Sequence, residues 1–267
     1  MISFKHPPLV EIIAEVRWAP TGQPITAVPA GSLPSQGTAL LTDGAHEGFF
    51  SDLSSGSAEI GFDRSERLIP VGFPSLAHHV IHRFRGKDAT SLFQAGLGVF
   101  TVNAVPPYRS WDHFRPIVES GLNVFFAAHL KHSLAPVSEI ILRYVNLFDR
   151  ALIDDQNAAS FAERTASIGI RFPEGISNEL NSPEKLDLDL HFSVALDWGA
   201  VLRVHIADAV VGGKSGVLLD TTVIVSKLNL TSREEIALLF EQAHTVTRQT
   251  FLALTKPIHD RMEPIKD

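Results

Sequence analysis

Pro8-Leu9-Val10-Glu11-Ile12-Ile13 returns as Pro136-Val137-Ser138-Glu139-Ile140-Ile141, 136 − 8 = 128 residues later. Each copy opens an extended apolar segment. Each is followed, after several shorter segments, by one long amphipathic helical pattern. The chain therefore reads as a single α+β domain, residues 1–267, built of two pseudo-symmetric halves, about 1–134 and 135–257. A seam between two such halves is a natural place to build a site.

Working outward from the first copy, residues 9–18 alternate. Val10, Ile12, Ala14, Val16 and Trp18 fall on one face, and Glu11, Ile13, Glu15 and Arg17 on the other, which predicts a half-buried strand. Thr21 to Gln36 is rich in Pro, Gly, Ser and Thr and reads as loop. A short helix is expected around His46–Ser54, with Phe49, Phe50 and Leu53 inward. Short strands are expected at Ala58–Phe62, Arg67–Val71, His79–Phe84 and Ser91–Asn103, the last broken at Gly96 and Gly98. Arg85-Gly86-Lys87-Asp88 reads as a hairpin turn. A helix over Ser110–Leu130 follows from the spacing of Phe114, Val118, Leu122, Phe125 and Phe126. Pro116 should kink its first turn or mark its start, because proline has no backbone N–H to donate.

Around the second copy, Glu139–Phe148 reads as a strand, Asp155–Ala166 as a short helix and Pro173–Lys185 as loop. Three strands should then form a meander: Leu186–Leu196, Val201–Val211 and Val217–Ser226. A two-residue turn between the first two would set Ser193 against Val204, polar against apolar. A three-residue loop, Trp198-Gly199-Ala200, pairs Val194 with Val204 and keeps the faces matched, with Gly199 left-handed. The last helix has two capping pairs, Ser232 with Glu235 and Thr231 with Glu234, and Pro257 stops it. The tail to Asp267 is expected to be loose. The expected fold is a mostly antiparallel sheet with two long helices packed on one face.

The composition narrows function. Net charge is −7, which disfavours nucleic acid and anionic membrane as partners. Charged residues are 20% of the chain, below a typical figure of about 25%. Such a chain buries more than usual or keeps apolar surface for a partner. There is no cysteine, so disulfides, thiolate metal sites and cysteine nucleophiles are excluded. Met1 to Pro8 carries no secretion pattern, and no apolar run reaches membrane-spanning length, so the cytoplasm is the expected compartment.

Four clusters could carry chemistry. Asp187, Asp189 and His191 share a strand face, and Arg203, His205, Asp220 and Thr222 join it from the next strands. Asp and His can bind a divalent metal or act as acid and base. Same-face neighbours on a strand stand roughly 7 Å apart, however, which favours a solvated sheet face over a metal site. His78, His79 and His82 would suit zinc on a helix, but their setting predicts a strand. Arg83, Arg85 and Lys87 beside Phe84 read as a solvated hairpin tip. The fourth cluster is Arg143, Tyr144 and Asn146, with Glu15 facing Arg143 under the 128-residue offset. A buried Arg143 needs a carboxylate, and Glu15 or Glu139 could supply it. His244 reads as a hydrogen-bonded histidine at the edge of the last helix's apolar face.

Pro7-Pro8-Leu9-Val10-Glu11, Tyr108-x-x-Trp111-x-x-Phe114, Leu142-Arg143-Tyr144-Val145-Asn146, the Leu219-Asp220 strand and the His244…Phe251…Thr255 spacing carry a resemblance. Along nearly the whole chain, Thr21 to Arg67 least, they resemble a sporadically distributed bacterial family defined by an automated family model and without established activity. The resemblance implies a bacterial origin and one family-wide architecture. It implies no catalytic residues.

The first functional expectation is a non-catalytic binding or adaptor protein. Glu15, Arg143, Tyr144 and Asn146 would bind a protein partner, a second copy or a small ligand, and no metal or cofactor is expected. The alternative is a hydrolase or metal-assisted enzyme using Asp187, Asp189, His191 and His205, with Arg203 on the same face. A nucleic-acid binder with a saddle-shaped sheet comes third. No Walker loop, nucleophile elbow, His-Glu-x-x-His or dinucleotide fingerprint occurs in the sequence.

Overall fold

The alternation over residues 9–18 becomes a ten-residue strand, β2 (Leu9–Trp18), after a two-residue β1 (Ser3–Phe4). Ile12, Ala14, Val16 and Trp18 are buried and Glu11, Ile13, Glu15 and Arg17 half-buried, as expected. The computed structural model describes residues 3–20, 40–41, 44–87, 89–107, 110–169 and 186–265. The loops expected at Thr21–Gln36 and Pro173–Lys185 lie outside the described residues. The architecture is α+β, with a nine-stranded antiparallel sheet among the described residues. Among the described residues no helix is long and apolar enough to cross a membrane.

After β3 (Leu40–Leu41) comes helix α1 (Glu47–Glu59), which buries Phe49, Phe50, Leu53 and Ser57. It ends at Glu59 inside the stretch Ala58–Phe62, where a strand was expected, and Ile60 and Gly61 turn the chain. Burial of Phe49, Phe50 and Leu53 carries the helix into a serine-rich stretch whose propensity is poor. The next elements are β4 (Arg64–Arg67), β5 (Ser75–Leu76), β6 (Val80–Arg85), β7 (Ser91–Gly96) and β8 (Val99–Ala104). Gly96 and Gly98 do break the long apolar run, which folds into the β7–β8 hairpin. Helix α2 (Trp111–Lys131) starts from an extended Ser110. It continues through Pro116, so the proline sits in the second turn and is not the start.

The second strand of the echo is β9 (Val137–Phe148). Short helical turns α3 (Arg150–Ile153) and α4 (Ala158–Ser160) follow, the latter running into a wider turn at Phe161–Thr165. The meander forms as β10 (Asp189–Ala195), β11 (Val201–Val211) and β12 (Lys214–Leu230). Helix α5 (Arg233–Leu254) and β13 (Pro264–Ile265) complete the chain.

Face matching chose the loop length correctly but not its position. The backbone N–H of Leu196 donates to the carbonyl of Ala200 at 2.8 Å, which closes a three-residue loop of Asp197, Trp198 and Gly199. Val194 therefore pairs with Leu202 and Phe192 with Val204. A shift of two residues preserves every face, so the pattern could not distinguish the registers. Gly199 has φ +86°, as a left-handed position requires.

The sheet order is β10-β11-β12-β9-β2-β8-β7-β6-β4. The chain divides into two compact units, and β2, β9, β12 and α5 each contribute residues to both. One unit comprises Met1–Ile12, Leu142–Ile224 and Glu241–Asp267. Its core contains Phe148, Phe161, Val204, Ile206, Leu219 and Met262, with Phe148 against Phe161 at 5.0 Å between ring centroids. The tail, expected to be loose, is fastened here. Met262 is fully buried, β13 pairs with β1, and Phe4 lies against Phe251 and His259. Apolar side chains after Pro257 supply the anchor that charge-rich tails lack.

The other unit comprises Ile13–Ile141 and Val225–Phe240. Its core is aromatic: Trp18, Phe49, Phe93, Phe100, Phe114 and Phe125 are all buried. Helix α2 lies close on β7 and β8 at Gly121, where an added Cβ would stand 2.6 Å from a Val102 methyl and 3.0 Å from the Phe93 ring.

Candidate functional site

Strand pairing assembles a polar row on one face of the first unit. His191 on β10 lies directly opposite His205 on β11, and His205 opposite Asp220 on β12. Asp220 in turn accepts from Arg143 on β9, through Nε at 2.7 Å and through Nη2. Arg203 pairs across to Ser193 on one side and Thr222 on the other. Alternation builds this face: Leu202, Val204 and Ile206 point into the core, so Arg203 and His205 point out.

The row contains one buried charge. The Asp220 side chain is 8% exposed, and the Arg143 side chain 44%. Thr222 Oγ1 donates to the second Asp220 oxygen at 3.1 Å. Both carboxylate oxygens are therefore hydrogen-bonded, which a buried carboxylate requires. The expected partners of Arg143 hold a different arginine. Arg17 binds Glu15 through Nε and donates to Glu139 at 3.1 Å through Nη1. Ser226 donates to the other Glu139 oxygen at 2.6 Å.

At the outer end of the row three side chains converge. His205 Nε2 is 2.7 Å and His191 Nε2 2.9 Å from the same oxygen, Asp189 Oδ1. The two imidazoles stack with centroids 3.8 Å apart at 14°. Strand spacing alone sets their backbones apart; the side chains bend together across it. Asp187 precedes β10 and is exposed.

Tyr144 and Asn146 point to the other side of β9 from Arg143. The Tyr144 hydroxyl is 2.7 Å from His244 Nδ1 on α5, so His244 is hydrogen-bonded as expected. Buried Asn146 donates through Nδ2 to the carbonyl of Leu219 at 3.3 Å. These two groups tie β9 to its neighbours and do not share a surface with Arg143.

The histidine triplet is not brought together. His78, at φ +63°, lies with Nε2 3.3 Å from the Trp18 carbonyl oxygen, while His82 stacks on Phe50 and meets Arg67. The basic hairpin tip is ion-paired: Arg83 and Arg85 with Glu66, and Lys87 with Asp63. Phe84 between them is fully buried.

Sequence reasoning missed two features. One is a cleft of about 680 Å³ in the first unit, lined by Phe148, Arg150, Asp154, Asn157, Asp208 and Val210 among others. Its residues come from separate turns and strands with no shared motif. The other is His129 in the second unit, buried among Trp18, Phe125 and Phe126. Its Nε2 lies 2.9 Å from the Ala135 carbonyl oxygen, and burial holds its pKa below the usual histidine value. Compared with known proteins, the chain matches no family model and no curated protein.

Proposed function

We propose that the chain is a non-catalytic binding or adaptor protein of the bacterial cytoplasm. It holds a protein partner, a second copy of itself or a small ligand against the polar face of β9 to β12. The observation that carries this reading is the row His191, His205, Asp220, Arg143, one side chain per strand on adjacent strands. At a strand spacing of about 4.8 Å it presents donors and acceptors over roughly 14 Å. Arg203, Thr222 and Asp189 widen it. A broad, open array of this kind suits a protein surface better than it suits enclosure of a substrate.

The alternative, a hydrolase or metal-assisted enzyme, draws on the convergence of Asp189, His191 and His205. It ranks second because the cleft in this unit is lined by other residues and Asp187 stands outside the cluster. The bacterial resemblance belongs to the same proposal, as does a duplication. Outward from β2 the sheet order runs β8, β7, β6, and outward from β9 it runs β12, β11, β10, the same sense in both halves.

Size exclusion with light scattering, combined with capture from the native host, tests the reading. A dimer, or a partner held in fixed ratio, is expected. A strict monomer that retains neither partner nor ligand contradicts it.

A further inference from the structure

We propose that Asp189, His191 and His205 bind one transition-metal dication of the zinc class. The inference stands apart from partner binding, and it rests on how three donor atoms meet. The two Nε2 atoms and one carboxylate oxygen all lie within 4.8 Å of one another. In a tetrahedral site with bonds of about 2.0–2.1 Å, neighbouring ligand atoms stand about 3.3 Å apart. The two Asp189 edges, at 2.7 and 2.9 Å, need to open by only about half an ångström to reach that separation. No strand has to move: His191 and His205 are already register partners, and Asp189 already reaches both.

The donor set selects the metal. Two imidazole nitrogens and one carboxylate oxygen suit Zn²⁺, Co²⁺ or Ni²⁺; Mg²⁺ and Ca²⁺ require oxygen. Asp189 also offsets one unit of the cation's charge, and the next carboxylate along the row, Asp220, is committed to Arg143 and Thr222. Side-chain exposure rises outward, from 25% for His205 to 63% for His191 and 71% for Asp189. The fourth coordination position therefore opens to solvent and would take water or a donor from a partner. Asp189 holds both Nε2 edges of the stacked rings, and binding a cation turns the two rings about their side-chain torsions until both Nε2 lone pairs meet at it.

The test is a titration of the tag-free full chain with Zn²⁺ by calorimetry and with Co²⁺ by visible absorption. One saturable equivalent per chain is expected, with the intense d–d bands of a four- or five-coordinate site. His205→Ala and Asp189→Asn should each weaken binding by about tenfold or more, with circular dichroism unchanged. His113→Ala, on an exposed turn of α2, should leave it unchanged. Absence of a saturable equivalent overturns the proposal, and so does an affinity that neither variant moves. Partner capture repeated in chelator reads the proposed function separately, so the two can fail independently.

Discussion

Asp220 concentrates the electrostatics of the polar row in one buried group. Its carboxylate leaves water only because Arg143 and Thr222 replace the lost hydrogen bonds. Asp220→Ala and Arg143→Ala should each lower stability by about 1–3 kcal/mol, Arg143→Ala because it strands the carboxylate. The double variant should cost clearly less than the two losses added, which urea unfolding of all four proteins checks. His129 sets a pH dependence in the other unit. Nδ1 of its ring is buried without a partner among the described residues, so a second proton would place charge inside an aromatic cluster. Its folded pKa lies below the unfolded value of 6.5, so the unfolded chain binds the proton more readily. This contribution is complete above pH 6.5 and is lost as pH falls below it toward the folded pKa. The urea midpoint of the native chain should fall over that range, and His129→Leu should flatten the fall. At this scale the sequence exposed Arg143, Tyr144 and Asn146 as polar groups in a strand. It could not name Asp220, 77 residues away, as the partner, because pairing across strands is set by the fold. Strand spacing also argued against convergence of Asp189, His191 and His205, because side-chain torsions do not show in a sequence.

Elements were more legible where burial acts on one face. The alternation of β2, the helical stripe of α2 and the start of α5 all follow from spacing. At α5 the backbone N–H of Glu235 donates to Ser232 Oγ at 3.4 Å, the backbone half of the expected capping box. Register is less legible: a slip of two residues keeps every side chain on its face, so the β10–β11 loop was set one residue too late. Helix-to-sheet distance is invisible to spacing altogether, yet Gly121 fixes it. Gly121→Val would drive a branched side chain into Val102 and Phe93. It should destabilise the chain by about 1–3 kcal/mol through overpacking. Thermal unfolding checks this, and Gly44→Ala, whose added Cβ meets nothing within 4 Å among the described residues, serves as the control.

At the scale of the whole molecule, the antiparallel α+β class was readable from the order of strand and helix patterns. The sheet order was not, because the strands of one meander pair in any of several sequences until packing selects one. The polar row exists only in that order: exchange β11 and β12, and His191 no longer stands beside His205, nor Asp220 beside Arg143. The account's central claim is that this row is a binding surface. It is tested most directly by quantitative capture with the native chain and with Ser193→Glu/Arg203→Glu. Both residues are exposed, and neither is a proposed metal ligand. The native chain should retain a partner, or its own dimer, in fixed ratio. The variant should lose it about tenfold or more with its fold intact, while Glu66→Gln in the other unit behaves as native. Equal recovery by the native chain and the Ser193→Glu/Arg203→Glu variant would contradict the claim.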